Sequence, residues 1–200
     1  MVIDHSHPDR DQPLLARAAR ALEQLGAQVR IAAGGDNLVR KSEPRDGTDE
    51  PFVVEAEGLK NLLHELVHVV LLGRLAPDHA TDYRAIPFDV REPARRELLW
   101  QELACCVVSC AYLPASEAEV DAWFAEQVGI QHAFFALGVD AEGFGAALEP
   151  WLASHAHELD RVLERAYART EALLQQPPAR RLAFAELWSR QRRSGTTPRS

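Results

Sequence analysis

The chain has 200 residues, 46% of them apolar and 26% charged, which is the composition of a folded globular protein and excludes wholesale disorder. The net charge of −8 argues against nucleic acid as a partner, because phosphates would be repelled along most of the surface. No basic stretch followed by an apolar run opens the sequence, and no apolar run, including the one around Val67 to Gly73, approaches the roughly 20 residues that span a bilayer. Cys105, Cys106 and Cys110 lie in one short segment. An odd, clustered set cannot staple distant parts of a fold, so free thiols in a reducing compartment are expected. The expectation is a cytoplasmic protein that does not enter a membrane.

Residues 1–12 are polar and contain Pro8 and Pro13 nearby, and they read as a flexible N-terminal arm carrying His5 and His7. Leu14 to Leu25 repeats apolar residues at helical spacing and stops at Gly26. Gln28 to Ala32 alternates as a strand, meets the turn residues Gly34-Gly35-Asp36-Asn37, and finds a return strand in Leu38 to Lys41. Pro44 to Glu50 reads as a polar loop and Pro51 to Glu57 as a further strand.

From Leu59 onward the pattern is helical. Glu92-Pro93 opens a helix that Pro114 closes. Ser116 to Glu119 is a capping box, and Gly129 ends the helix it starts. Gly138 to Gly145 reads as a connection, Leu148 to Leu174 as a long amphipathic helix, and Arg180 to Arg193 as a last short one. The expected architecture is α+β: a small N-terminal antiparallel sheet followed by a helical body, with one domain over 13–193 and a flexible tail over 194–200.

Residues 64 to 68 read His-Glu-Leu-Val-His. Positions i and i+4 of a helix lie about 40° apart, so His64 and His68 project side by side and can share one metal ion. Glu65, turned by about 100°, is placed to take a proton from a metal-bound water rather than to bind the metal. The surrounding segment, Leu59 to Gly73, is apolar apart from these three residues, Asn61 and Lys60. Such a helix is buried, and two imidazoles and a carboxylate inside it require partners.

A hydrolytic zinc site needs a third protein ligand. The metzincin continuation fails, since Leu71 and Arg74 stand where Gly and His would be required. On the helix after Pro93, Leu98, Leu99, Cys105, Cys106, Ser109 and Leu113 fall within about 60° of Glu102, whereas Glu97 lies about 140° away beside Gln101. Glu102 is therefore a carboxylate on an apolar stripe and the preferred third ligand. Asp82, His79 and Glu97 compete with it, and pairing of Glu102 with Arg95 is the structural alternative. No fourth ligand is evident. Tyr83, Tyr112 and His132 are candidates for stabilising an oxyanion. His155 and His157 diverge by about 160° and cannot share a metal. The three cysteines read as small core residues, and the Arg-rich end (Arg180, Arg181, Arg190, Arg192, Arg193) as a solvated terminal helix.

His64-Glu65-Leu-Val-His68 with a downstream helix glutamate resembles the gluzincin branch of the zincin metallopeptidases, and within it the small ImmA/IrrE-type cytoplasmic proteins. In these the HExxH helix is followed by Glu-Ala-Asn/Asp-x-Phe-Ala-x-x-Leu-Leu-x-Pro. Glu102-Leu-Ala-Cys-Cys-Val-Val-Ser-Cys-Ala-Tyr-Leu-Pro114 keeps the Glu, the small apolar residues and the closing Leu-Pro. It lacks the Asn/Asp, and its Pro comes one residue late. The resemblance covers roughly residues 50 to 115. It implies a Zn²⁺-dependent peptidase acting on a protein or peptide substrate, with His64, His68 and Glu102 as ligands and Glu65 as general base. The alternative is a zincin-like domain that binds another protein without catalysis.

Overall fold

A computed structural model describes residues 8–34, 37–41, 52–76 and 86–194. Its elements in chain order are α1 (Pro8–Gln24), β1 (Ala27–Ile31), β2 (Leu38–Lys41), β3 (Phe52–Ala56), α2 (Leu59–Leu72), α3 (Pro93–Tyr112), α4 (Glu117–Gly129), a 3₁₀ turn (Ile130–Ala133), α5 (Ala141–Leu174) and α6 (Phe184–Ser194). The fold is α+β, a small sheet near the N-terminus joined to a helical body.

The sheet departs from the expected antiparallel hairpin. Its order is β1-β3-β2, with β1 parallel to β3 and β2 antiparallel to it. The physical reason lies in β3, where Val53, Val54 and Ala56 are buried. The most apolar strand gains most from taking the centre, where both of its edges are paired and it packs on the helices. β1 and β2 then become edges, which the turn at Gly34 alone does not reveal.

The N-terminus differs as well. Helix α1 begins at Pro8, inside the expected arm, and runs through Pro13. Proline's fixed φ is already helical, and in the opening turns the N–H groups have few intrahelical partners to lose. Leu14, Ala18, Ala21 and Leu22 bury the inner face of this helix. His5 and His7, the loop over 44–50, the candidates His79, Asp82 and Tyr83, and residues 195–200 lie outside the described residues.

Helix α2 runs through the middle of the molecule and touches α1, β3, α3 and α5. Every residue from Asn61 to Leu71 is buried, as an all-round apolar helix requires. It ends at Gly73, whose φ of 71° is the left-handed conformation of a helix C-cap, with its N–H on Val69 O at 2.9 Å. Two more carbonyls at this end, those of Val70 and Leu71, accept from Arg169 Nη1 on α5 at 2.9 Å each.

Pro93 occupies the first turn of α3, and the capping box of α4 is formed as the sequence predicts, with Glu119 N–H on Ser116 Oγ and Ser116 N–H on Glu119 Oε2. Helix α5 starts earlier than expected. Asp140 accepts from Gly143 N–H at 2.7 Å and caps it, and the buried Phe144 and Leu148 anchor its first turns. It bends at His155, whose φ of −131° is not helical. Helix α6 begins at Phe184 rather than at Arg180. Among the described residues no helix is long and apolar enough to cross a membrane.

Candidate metal centre

The buried polar residues of α2 stand at Asn61, His64, Glu65 and His68. This is the i, i+3, i+4, i+7 spacing of a single helix face, and that face looks onto α3. His64, Glu65 and His68 are only 7%, 5% and 3% exposed. The two imidazoles meet at their outer nitrogens, with His64 Nε2 and His68 Nε2 3.0 Å apart.

Across from them Glu102 projects from the middle of α3. Its Oε2 is 3.7 Å from His64 Nε2 and 3.4 Å from His68 Nε2. Four ligands arranged tetrahedrally around an ion at about 2.05 Å stand about 3.3 Å from one another. The triangle of 3.0, 3.4 and 3.7 Å thus fits three donors of such an ion. The donor types, two imidazoles and a carboxylate, suit zinc and its neighbours in the first transition row.

Charge in the site follows from this crowding. Burial works against a charged His68, but the Glu102 carboxylate beside it prevails and raises the pKa above the ordinary histidine value. Burial works against a charged Glu102 too, and the two histidines more than compensate, holding its carboxyl well below the usual range. The carboxylate is in the form that binds a cation, and a metal arriving here would displace the proton that this pairing favours on His68.

Cys105 also belongs here. Helix α3 places it one turn after Glu102, and His64, His68 and Cys105 form a buried cluster whose ligand atoms all lie within 4.8 Å of one another. This cluster can hold a metal ion, and it corrects the expectation that no fourth donor is near. Burial, reinforced by the charge of Glu102, pushes the Cys105 thiol well above its ordinary pKa. Glu102 Oε2, at 3.4 and 3.7 Å from the two imidazoles, and the Cys105 thiol, within 4.8 Å of them, are thus two candidate third donors.

The donors face a cavity of about 180 Å³. Its polar wall includes Glu65, Asn61, Gln127 and Gln131, and its apolar wall Phe88, Leu98, Ile130, Phe134 and Phe135. A short bridge, with Phe88 N–H on Phe134 O and Ala136 N–H on Phe88 O, ties the aromatic rim together. Trp123 stands edge-on to the His64 ring at 6.5 Å between centroids.

Other sequence candidates fall elsewhere. Glu97 pairs with Arg165 at 2.7 Å, and Arg95 pairs with Glu92 rather than Glu102. Tyr112 donates its hydroxyl to Gln176 O at 3.1 Å, which commits it to packing. His132 bonds through Nδ1 with Gly129 O at 2.7 Å and is not part of the cavity lining. His155 stacks on Trp151. Cys110 is buried and its thiol is pushed up to about 12 by that burial. Arg180, Arg181, Arg190 and Arg192 each pair with a carboxylate of this chain.

Sequence reasoning missed Gln127 and Gln131. They stand at i and i+4 across the end of α4, a spacing that signals a shared face, but nothing in the chain says that this face meets α2. No protein-family model matches this chain, and no curated protein or solved structure matches it either.

Proposed function

We propose that the protein is a zinc-dependent peptidase of the gluzincin kind, acting on a protein or peptide substrate in the cytoplasm. The observation that carries the reading is the triangle of His64, His68 and Glu102 on a cavity whose wall also holds Glu65. The buried free thiols of Cys105, Cys106 and Cys110 suit a reducing compartment.

A zinc ion held by His64, His68 and Glu102 supplies Lewis acidity, polarising a carbonyl and making water nucleophilic near neutral pH. Glu65 takes one proton from the attacking water as its oxygen bonds to the peptide carbon. The same carboxyl then gives that proton to the nitrogen as the carbon–nitrogen bond breaks, and the water's second proton passes from the new carboxylic acid to the amine, so the products are a carboxylate and an ammonium. Phe88, Phe134 and Phe135 keep bulk water from the cleft and form an apolar seat for a substrate side chain.

A second reading, a zincin-like domain without catalysis, draws on Cys105. If it joined the other three as a ligand, the site would be closed by four protein donors, the arrangement of a structural zinc centre. In that arrangement Glu65 has no chemical task.

Glu65→Gln separates the two. The variant keeps the side chain's size but cannot accept a proton. Zinc titration of wild type is expected to give about one ion per chain, lost on His64→Ala or His68→Ala. Zinc-dependent fragments formed from a cell extract are expected to fall by about 10²- to 10⁴-fold in Glu65→Gln, with zinc content retained. Absence of zinc uptake would overturn both readings. Cleavage that survives Glu65→Gln would overturn the mechanism.

A further inference from the structure

We propose that Asn61 and Gln131 form a subsite that receives the N–H groups of a peptide backbone beside the metal-ligand triangle. The inference deepens the peptidase reading, on which its choice of ligand rests.

Gln131 is 2% exposed, and its Nε2 donates to Gln127 O at 3.2 Å. That bond fixes which way the carboxamide faces, because the flipped form would set oxygen against oxygen. Its Oε1 is buried and has no partner among the described residues. Asn61, 7% exposed, leaves a buried Oδ1 that also has no partner among the described residues. The two come from different elements, α2 and the 3₁₀ turn after α4, yet both line the cavity that holds His64, Glu65, His68 and Glu102.

Buried acceptors are nearly always satisfied, because leaving one unmade destabilises the fold. Two on one cavity wall therefore mark a place where something else supplies donors. The rest of that wall sharpens the choice. Glu65 and Glu102 are carboxylates and add further acceptors. At Asn61 Oδ1 and Gln131 Oε1 themselves a phosphate, sulfate or carboxylate would set oxygen against oxygen, whereas a secondary amide presents N–H groups without charge. The phenylalanines opposite accept the apolar side chain between two such amides. Asn61 lies one turn before His64 and Glu65 on the same face of α2, so an amide held by it stands next to the bond that Glu65 would serve.

The test uses the full chain, metal-free and zinc-loaded, and two probes. N-acetyl-leucine N′-methylamide carries two amide N–H groups, and its fully N-methylated counterpart carries none. Nuclear magnetic resonance titration is expected to show the side-chain amide signals of Asn61 and Gln131 shifting with the first probe. The first probe should bind at least about fivefold more tightly than the second. Asn61→Leu and Gln131→Leu should each erase that preference while leaving zinc stoichiometry unchanged. Should Gln131→Leu fail to fold, Asn61→Leu and the wild-type comparison decide. Equal binding of the two probes, binding of neither at millimolar concentration, or a preference that survives in the folded variants overturns the proposal. Failure of the zinc reading shows separately, as no metal uptake, since the preference is also measured on metal-free protein.

Discussion

Trp100 Nε1 donates to Glu158 Oε2 at 2.8 Å, and Arg96 Nε donates to the same oxygen at 2.9 Å. One carboxylate on α5 thereby clasps the two turns of α3 that precede Glu102. Glu102 is not carried by a loose helix. Its rotation about the α3 axis is fixed by an indole and a guanidinium held from behind.

That clasp predicts a pH dependence. The Arg96 guanidinium, helped by the Trp100 N–H, lowers the Glu158 carboxyl to about 2, below the ordinary glutamate value near 4.3. A group whose folded pKa is depressed stabilises the fold fully above its unfolded pKa, and the contribution drains away as pH falls from about 4.5 towards about 2. Glu158→Gln is expected to cost about 1 kcal/mol at pH 6, allowing for partial exposure. The gap in melting temperature between wild type and variant should close on acidification through that window. A gap that stays constant to pH 2 would show that the carboxylate's charge does not matter.

Glu102 and Glu97 give opposite expectations. Glu102→Ala should weaken zinc binding by at least about tenfold. Glu97→Ala should leave it nearly unchanged, since the half-exposed pair with Arg165 contributes little and stands outside the triangle. A competition titration with a zinc chelator ranks the two variants directly.

Cys105 is separable from Glu102 by spectroscopy. Cobalt(II) in place of zinc gives a strong sulfur-to-metal charge-transfer band only if a thiolate is bound. On the proposed reading, in which Glu102 closes the triangle, no such band is expected in wild type. Its appearance, and its loss in Cys105→Ser, would favour the non-catalytic reading.

Gly138 is expected to be intolerant. Its φ is +73°, and a Cβ there would lie 2.2 Å from Phe144 N and 2.3 Å from Gly143 C. Both neighbours are backbone at the start of α5 and cannot swing aside. Gly138→Ala should lower stability by at least about 2 kcal/mol in urea unfolding.

What the sequence made legible was local. His64 and His68 follow from the i, i+4 rule, and Glu102 stands out from Glu97 by phase along one helix. The strand order was not legible, because placing β3 between β1 and β2 depends on which strand the helices bury. Tyr112 looked available as a catalytic donor because its partner, the carbonyl of Gln176, lies 64 residues away in the chain. Asn61 stood out as polar in an apolar helix, but that Gln131 lines the same cavity is a tertiary fact. The capped start of α5 was hidden by two glycines that lower helical propensity without preventing the helix.

The C-terminal half of α5 grips both ligand-bearing helices, α3 through Glu158 and Arg165 and α2 through Arg169. It acts as a caliper that sets the gap between histidines and glutamate. On the proposed reading, metal affinity would depend on a helix that contributes no ligand. In hydrogen exchange, α2, α3 and this segment should open as one cooperative unit. An ion seated between the jaws would slow all three together, reporting its arrival along a stretch of backbone it never touches.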